Sequence, residues 1–221
     1  GGGFILIITT TVFFIIIRFI SGLSSAFVLI FGTALILPSI QAFGKKSLST
    51  SHFMGVGFGI VISSILVTFL GELGFHWDDL WIGVAVLSVI LAVPIFICTP
   101  NEILQHSYSQ NSNYKNNFSF SLISISYGLY GFGYVILGTF ISAMARETSG
   151  LEATEMYVWL LVGLAGIPMV IFWPWFGKKI GNDLALFFAC AIMGLGVLMP
   201  VLLENKVGIT SASILLGSTF I

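Results

Sequence analysis

Apolar runs of roughly 20 residues follow one another along almost the whole chain, parted by short polar connections. A run of that length crosses about 30 Å of hydrocarbon as an α-helix. Backbone amides and carbonyls find no water there, so only a helix or a closed β-barrel pairs them all. The runs lack the strict alternation of a barrel strand. The expected class is therefore all-α, a polytopic membrane helix bundle. Composition agrees, with 57% hydrophobic and 8% charged residues, where a soluble domain carries about 25% charged residues.

Hydropathy places seven spans, at 12–38, 51–71, 79–99, 119–143, 156–176, 183–203 and from 208 to the end. The run from Phe4 to Leu37 would make a helix about 51 Å long. It is expected to divide near Thr9–Thr11, its first part being the tail of an earlier span. The chain opens on GGGFIL without an initiating methionine and stops inside an apolar run. It reads as a piece of a longer protein with its last span cut short. No charged start, short apolar core and cleavage site precede the first span, so no signal peptide is read.

Lysine and arginine concentrate in cytoplasmic loops. One alternate set of connections holds Lys45, Lys46, Lys115, Lys178 and Lys179, against Glu102 and Asp183. The other set holds only Arg146 and Lys206, against Glu72, Asp78, Asp79, Glu147, Glu152, Glu155 and Glu204. The first set is assigned to the cytoplasm and the second to the outside. The long Asn- and Ser-rich connection at 100–118 falls on the cytoplasmic side, as a linker or simply a solvated loop. Cys98 and Cys190 stand alone, with no metal-like spacing.

Arg18 is the single charge between Phe4 and Leu37. Burying a guanidinium at mid-bilayer costs about 2.5–3.5 kcal/mol on insertion scales, so it faces protein, water or the headgroup layer. The residues after it, Ser21, Gly22, Ser24, Ser25 and Ala26, are small and allow another helix to approach. From GVGFGIVISS onward, Gly55, Gly59 and Ser63 share one helical face while Gly57, Ser64 and Gly71 occupy the other. In the fourth span Tyr127, Tyr130 and Tyr134 fall within an arc of about 60°. Such a face either lines a polar cavity or packs in the bundle. Gly128, Gly131 and Gly133 interleave with it and permit close approach or bending. Pro94 and Pro168 remove helix hydrogen bonds within their spans.

RFISGLSSA, residues 18–26, resembles the fourth-helix signature of the major facilitator superfamily, RxxxG followed by small residues. GVGFG at 55–59 is similar to the antiporter-type region of the fifth helix, without the proline common there. YGLYGFGYVILGTFISAMARE at 127–147 resembles the seventh helix of the YbfB/YjiJ-like branch, and HFMGVGFGI and LLGSTFI fit it as well. The resemblance implies a partial fold of that superfamily, from about the third helix to the tenth, with about seven of its twelve spans. Residues 1–99 are then the C-terminal part of the N-terminal bundle and 100–118 the central cytoplasmic loop. Residues 119–221 are the truncated start of the C-terminal bundle. FGKKIGND takes the place of the family's cytoplasmic gating loop, with Gly177, Lys178, Lys179 and Gly181 fitting loosely and the acid expected between the glycines missing.

What the resemblance implies is a secondary active transporter that moves a small solute by alternating access, coupled to protons. It would be a monomer in the lipid bilayer of a bacterial inner membrane, with no nucleic-acid partner and no cofactor or metal. Arg18, Tyr127, Tyr130 and Tyr134 would form the substrate or ion pathway, and Gly22, Gly55, Gly57, Gly59, Gly131 and Gly133 the packing or moving contacts. A sensor or receptor bundle is the alternative. An enzyme is not expected, since the spans hold no HExxH and no acid pair, and His52 sits at a helix start.

The charge assignment predicts a labelling pattern in a full-length protein freed of its native thiols. Glu204→Cys reacts with an impermeant maleimide on intact cells, whereas Lys178→Cys reacts only after permeabilisation. The opposite pattern would invert the topology.

Overall fold

A computed structural model describes residues 2–42, 50–98, 118–148, 150 and 154–220, and among them there are helices and turns but no strands. The helices are α1 (Gly2–Ala42), α2 (Met54–Glu72), α3 (Trp77–Cys98), α4 (Phe118–Glu147), α5 (Glu155–Ile180), α6 (Asn182–Leu202) and α7 (Lys206–Phe220), with a 3-10 turn at Ser51–Phe53 before α2. Six of them are long and apolar enough to cross a membrane. α7 has 15 residues. The connection at 100–117 and Lys45 and Lys46 lie outside the described residues.

The chain divides into two units, Gly1–Ser49 with Asn101–Ser107, and Thr50–Pro100 with Tyr108–Ile221. The described part of the first unit is α1, a single helix of 41 residues. The break expected at Thr9–Thr11 is absent. Threonine lowers helix propensity by well under about 1 kcal/mol, and no glycine or proline interrupts the backbone from Phe4 to Ser21. Breaking the ladder there would expose backbone groups that hydrocarbon cannot satisfy.

In the second unit the helices keep close to the expected spans but run on at two ends. α4 continues to Glu147 and α5 to Ile180, past the expected ends at 143 and 176. A helix ends where its backbone is capped, not where its hydropathy falls. Arg146 in α4 and Lys178 and Lys179 in α5 occupy the last turns, where cations complement the negative end of the helix dipole. α5 stops at Gly181, whose φ of 94° reverses the chain into α6. α2 ends in a Schellman motif. The Phe75 amide donates to the Leu70 carbonyl at 3.2 Å and the Gly74 amide to that of Gly71 at 3.0 Å. Gly74 sits at φ 79°, a conformation that a Cβ would strain.

One buried cluster holds α4, α5, α6 and α7 together: Leu137, Ile141 and Ala145, Val158 and Val162, Met193, and Ile209, Ala212 and Leu216. On α4 the spacing is four residues, so one stripe faces inward. Elsewhere large apolar side chains point outward, among them Val89, Ile90, Ile95 and Phe96 on α3. Water would penalise that surface, and acyl chains match it.

α2 joins this group by crossing α5. A Cβ on Gly57 would lie 2.7 Å from Ile167 Cγ1 and 3.3 Å from the Gly163 carbonyl oxygen. A Cβ on Gly163 would lie 2.8 Å from Val61 Cγ2 and 3.0 Å from the Gly57 carbonyl oxygen. The two backbones therefore touch through a reciprocal pair of glycines, the small-residue contact that drives helix association in lipid. Gly59, two residues along on the other face, has no heavy atom within 4 Å of a Cβ position.

This contrast predicts that Gly163→Leu destabilises the full-length protein by about 1–3 kcal/mol, as overpacking does. Gly59→Leu stays within about 0.5 kcal/mol of the parent. Thermal unfolding in detergent followed by size-exclusion chromatography reads both. Equal loss in the two variants would contradict the crossing.

Candidate functional site

A cleft of about 600 Å³ opens within the second unit among α2, α3, α4 and α5. α2 contributes Ile60, Ser63, Ser64, Val67, Thr68 and Gly71, a stretch running roughly 16 Å along its axis at 1.5 Å per residue. α3 contributes Trp77, Leu80, Trp81 and Val84, α4 contributes Ser142, and α5 contributes Glu155 and Trp159. The wall includes the C-terminal end of α2 and the N-terminal ends of α3 and α5. The charge pattern assigns these ends to the outside.

The floor and the mouth are built differently. On α2 the lining begins at Ile60, one turn beyond Gly57, and on α5 it ends at Trp159, one turn before Gly163. The glycine crossing thus lies directly beneath the cleft, where α2 and α5 meet backbone to backbone. At the other end of the lining, the mouth, α3 lies beside α2.

The wall is mainly apolar, with hydroxyls along α2 and one carboxylate. Ser63 Oγ donates to the Ile60 carbonyl at 3.1 Å, which leaves its oxygen able to accept. Trp159 is half-buried and packs against the core cluster, so it ties the cleft wall to the rigid centre. Trp77 and Trp81 lie one helical turn apart on α3 and are exposed. Glu155 starts α5, where the helix dipole favours an acid. Its Oε1 is 3.4 Å from Arg146 Nε, in a pair whose arginine is 64% and glutamate 34% exposed. Just outside the mouth, His76 Nδ1 and Asp78 Oδ1 meet at 2.6 Å.

The pathway residues expected from sequence are not among the residues that line this cleft. Arg18 belongs to the first unit, where its guanidinium sits 5.1 Å from the centroid of the Phe14 ring, one turn back on α1. Gly22 follows one turn after it on the same helix. On α4, the Tyr127 and Tyr130 rings stack at 6.5 Å. The Tyr130 hydroxyl donates to the Thr219 carbonyl of α7. Tyr130 and Tyr134 pack against the core cluster, while Tyr127 is 71% exposed. The tyrosine face is therefore divided between packing and open surface.

Of the glycines singled out, Gly57 makes the crossing, whereas Gly55, Gly59, Gly131 and Gly133 have no heavy atom within 4 Å of a Cβ position. Gly177, Lys178 and Lys179 lie in the last turn of α5, and Gly181 alone joins α5 to α6. Gly177 is buried, with a Cβ position 2.9 Å from Asn182 Oδ1. Lys179 Nζ lies 4.0 Å from the centroid of the Trp175 ring.

Sequence reasoning did not find Trp77, Trp81, Trp159, Glu155 or Gly163. Glu155 carried a signal, as an acid opening a span on the lysine-poor side. Gly163 carried none, because a glycine in an apolar run looks the same whether or not a helix meets it.

The family described as Uncharacterised MFS-type transporter YbfB matches residues 5–221 of the chain. No curated protein and no solved structure matches it.

Proposed function

The chain belongs to the family of MFS-type transporters described by YbfB, and on that premise we propose that this multi-pass membrane protein moves a small solute across a bacterial cytoplasmic membrane by alternating access, driven by a proton gradient. The observation that carries the reading is the cleft, whose lining reaches the acid-rich ends of α2, α3 and α5 and stops one turn short of the Gly57–Gly163 crossing. A pathway that admits solute from one side needs such a floor, and paired glycines let the two helices meet closely enough to form one.

In this reading residues 1–99 and 119–221 supply parts of two halves joined through 100–118. α2 and α3 come from one half, and α4 and α5 from the other. The cleft is then the outward-facing stage of the cycle. Arg18 is the coupling residue, since a guanidinium kept within an apolar helix responds strongly to a neighbouring acid gaining or losing its proton. Tyr127 is the member of the tyrosine face left to meet solute, with Tyr130 and Tyr134 holding α4 to the core. Lys178 and Lys179 sit at the cytoplasmic end, where gating contacts of the inward-facing stage would form.

The test uses the full-length protein in sealed proteoliposomes under an imposed proton gradient. The panel contains labelled amino acids, sugars, organic acids and quaternary ammonium compounds. Gradient-dependent accumulation of at least one class is expected. Arg18→Gln should insert normally and slow that uptake about tenfold or more, equivalent to about 1.4 kcal/mol in the barrier. Uptake at the parent rate would remove Arg18 from the mechanism. A solute that binds but never crosses would make the bundle a sensor, not a transporter.

A further inference from the structure

We propose that the cleft selects amphipathic organic cations, with Glu155 seating the positive charge and the indoles of Trp77, Trp81 and Trp159 holding the apolar body. That such a cation is also the solute moved rests on the transporter reading; the binding itself does not.

The chemistry of the wall suits the other classes less well. Glu155 is the one ionisable side chain among the described residues that line the cleft, and the base beside it, Arg146, stands outside the lining and is already paired with it, so an anion would meet a carboxylate and no base in the wall. A free amino acid would leave its carboxylate unpaired for the same reason. A sugar needs several convergent donors and acceptors; the wall has four hydroxyl side chains, Ser63, Ser64, Thr68 and Ser142, of which Ser63 already spends its proton on the Ile60 carbonyl, and most of the remaining wall is aliphatic or indole. A cation with an apolar body fits both parts. Indole faces attract positive charge through the ring quadrupole, and tryptophan does so best of the aromatic residues. A volume of about 600 Å³ lies within the range of small-molecule sites.

The field outside points the same way. Glu72 adjoins Gly71 of the wall, and Asp78 and Asp79 stand between Trp77 and Leu80. These acids concentrate cations at the mouth.

Arg146 shows that the carboxylate already accepts a cation. It approaches from the exposed side through Nε at 3.4 Å, and the guanidinium is 64% exposed. A long, solvated contact of this kind is weak. An incoming cation that gains the indole walls as well can displace it. Arg146 is thus a competitor for Glu155, and its removal should strengthen binding, an effect that misfolding cannot imitate.

Tetraphenylphosphonium and tetraphenylborate have the same shape and opposite charge. Equilibrium dialysis of each against purified full-length protein in detergent, with empty micelles subtracted, measures the selection directly. The phosphonium should bind about tenfold or more tightly than the borate. Glu155→Gln should abolish most of that preference, Arg146→Gln should tighten phosphonium binding severalfold, and Trp81→Ala should weaken it. Equal binding of the two ions, a preference for the borate, or an Arg146→Gln variant that binds the phosphonium no better would overturn the proposal. Dialysis requires no transport. Selective binding by a protein that moves nothing in proteoliposomes would sink the transporter reading and keep the site. Solute transport without cation selection would do the reverse.

Discussion

Where α2 crosses α5, Gly57 and Gly163 present backbone to backbone, and a Cβ on either would collide with the other helix. Much of the molecule's second unit is arranged around that contact. It lets α2 approach α5, which is itself fixed to α4 and α7 through Val158 and Val162 of the buried cluster. It also sets the depth of the cleft, because the lining on both helices stops one turn from the glycines. Apolar side chains gain little by leaving lipid for one another, so close van der Waals contact between small residues is what holds two such helices in one geometry. Val61 and Ile167 each lie over the glycine of the facing helix, so the contact is both close and registered.

Beyond the crossing the cleft is walled by what the ends of α2, α3 and α5 carry. Three tryptophans and a carboxylate stand there because the ends of membrane helices are where indoles and acids are least costly. Trp159 packs on the core cluster and Glu155 begins the same helix, so both are placed by the rigid part of the bundle and not by a loop. A cleft so built differs from a lipid-filled groove in having one fixed charge near its mouth.

Much of the fold was legible in the sequence. Helix positions follow from apolar run lengths, and the ends that ran long, at Glu147 and Ile180, are explained by caps and terminal cations that hydropathy averages away. The continuous α1 shows the opposite limit: Thr9–Thr11 looked like a break because the run was too long for a bilayer, but length alone does not interrupt a hydrogen-bond ladder. The site was less legible. In GVGFG, Gly55 and Gly59 lie on one face and Gly57 on the other, and in lipid both faces are equally free to meet a helix. Only the partner decides, and α5 meets Gly57. The tyrosines posed the same problem, since the Tyr130 hydroxyl that donates to Thr219 is indistinguishable in sequence from one that waits for solute.

If α2 and α5 pivot at the glycines, the two ends of the helix pair must move in opposite senses. Spin labels on the full-length protein in nanodiscs read this directly, with one pair at Glu72 and Tyr157 across the mouth and a second at Ser51 and Lys178 beyond the crossing. Pulsed dipolar distances should show two populations, in which the mouth pair shortens as the other lengthens when the buffer is taken from neutral to acidic. Fixed distances, or both pairs changing in the same direction, would contradict the pivot.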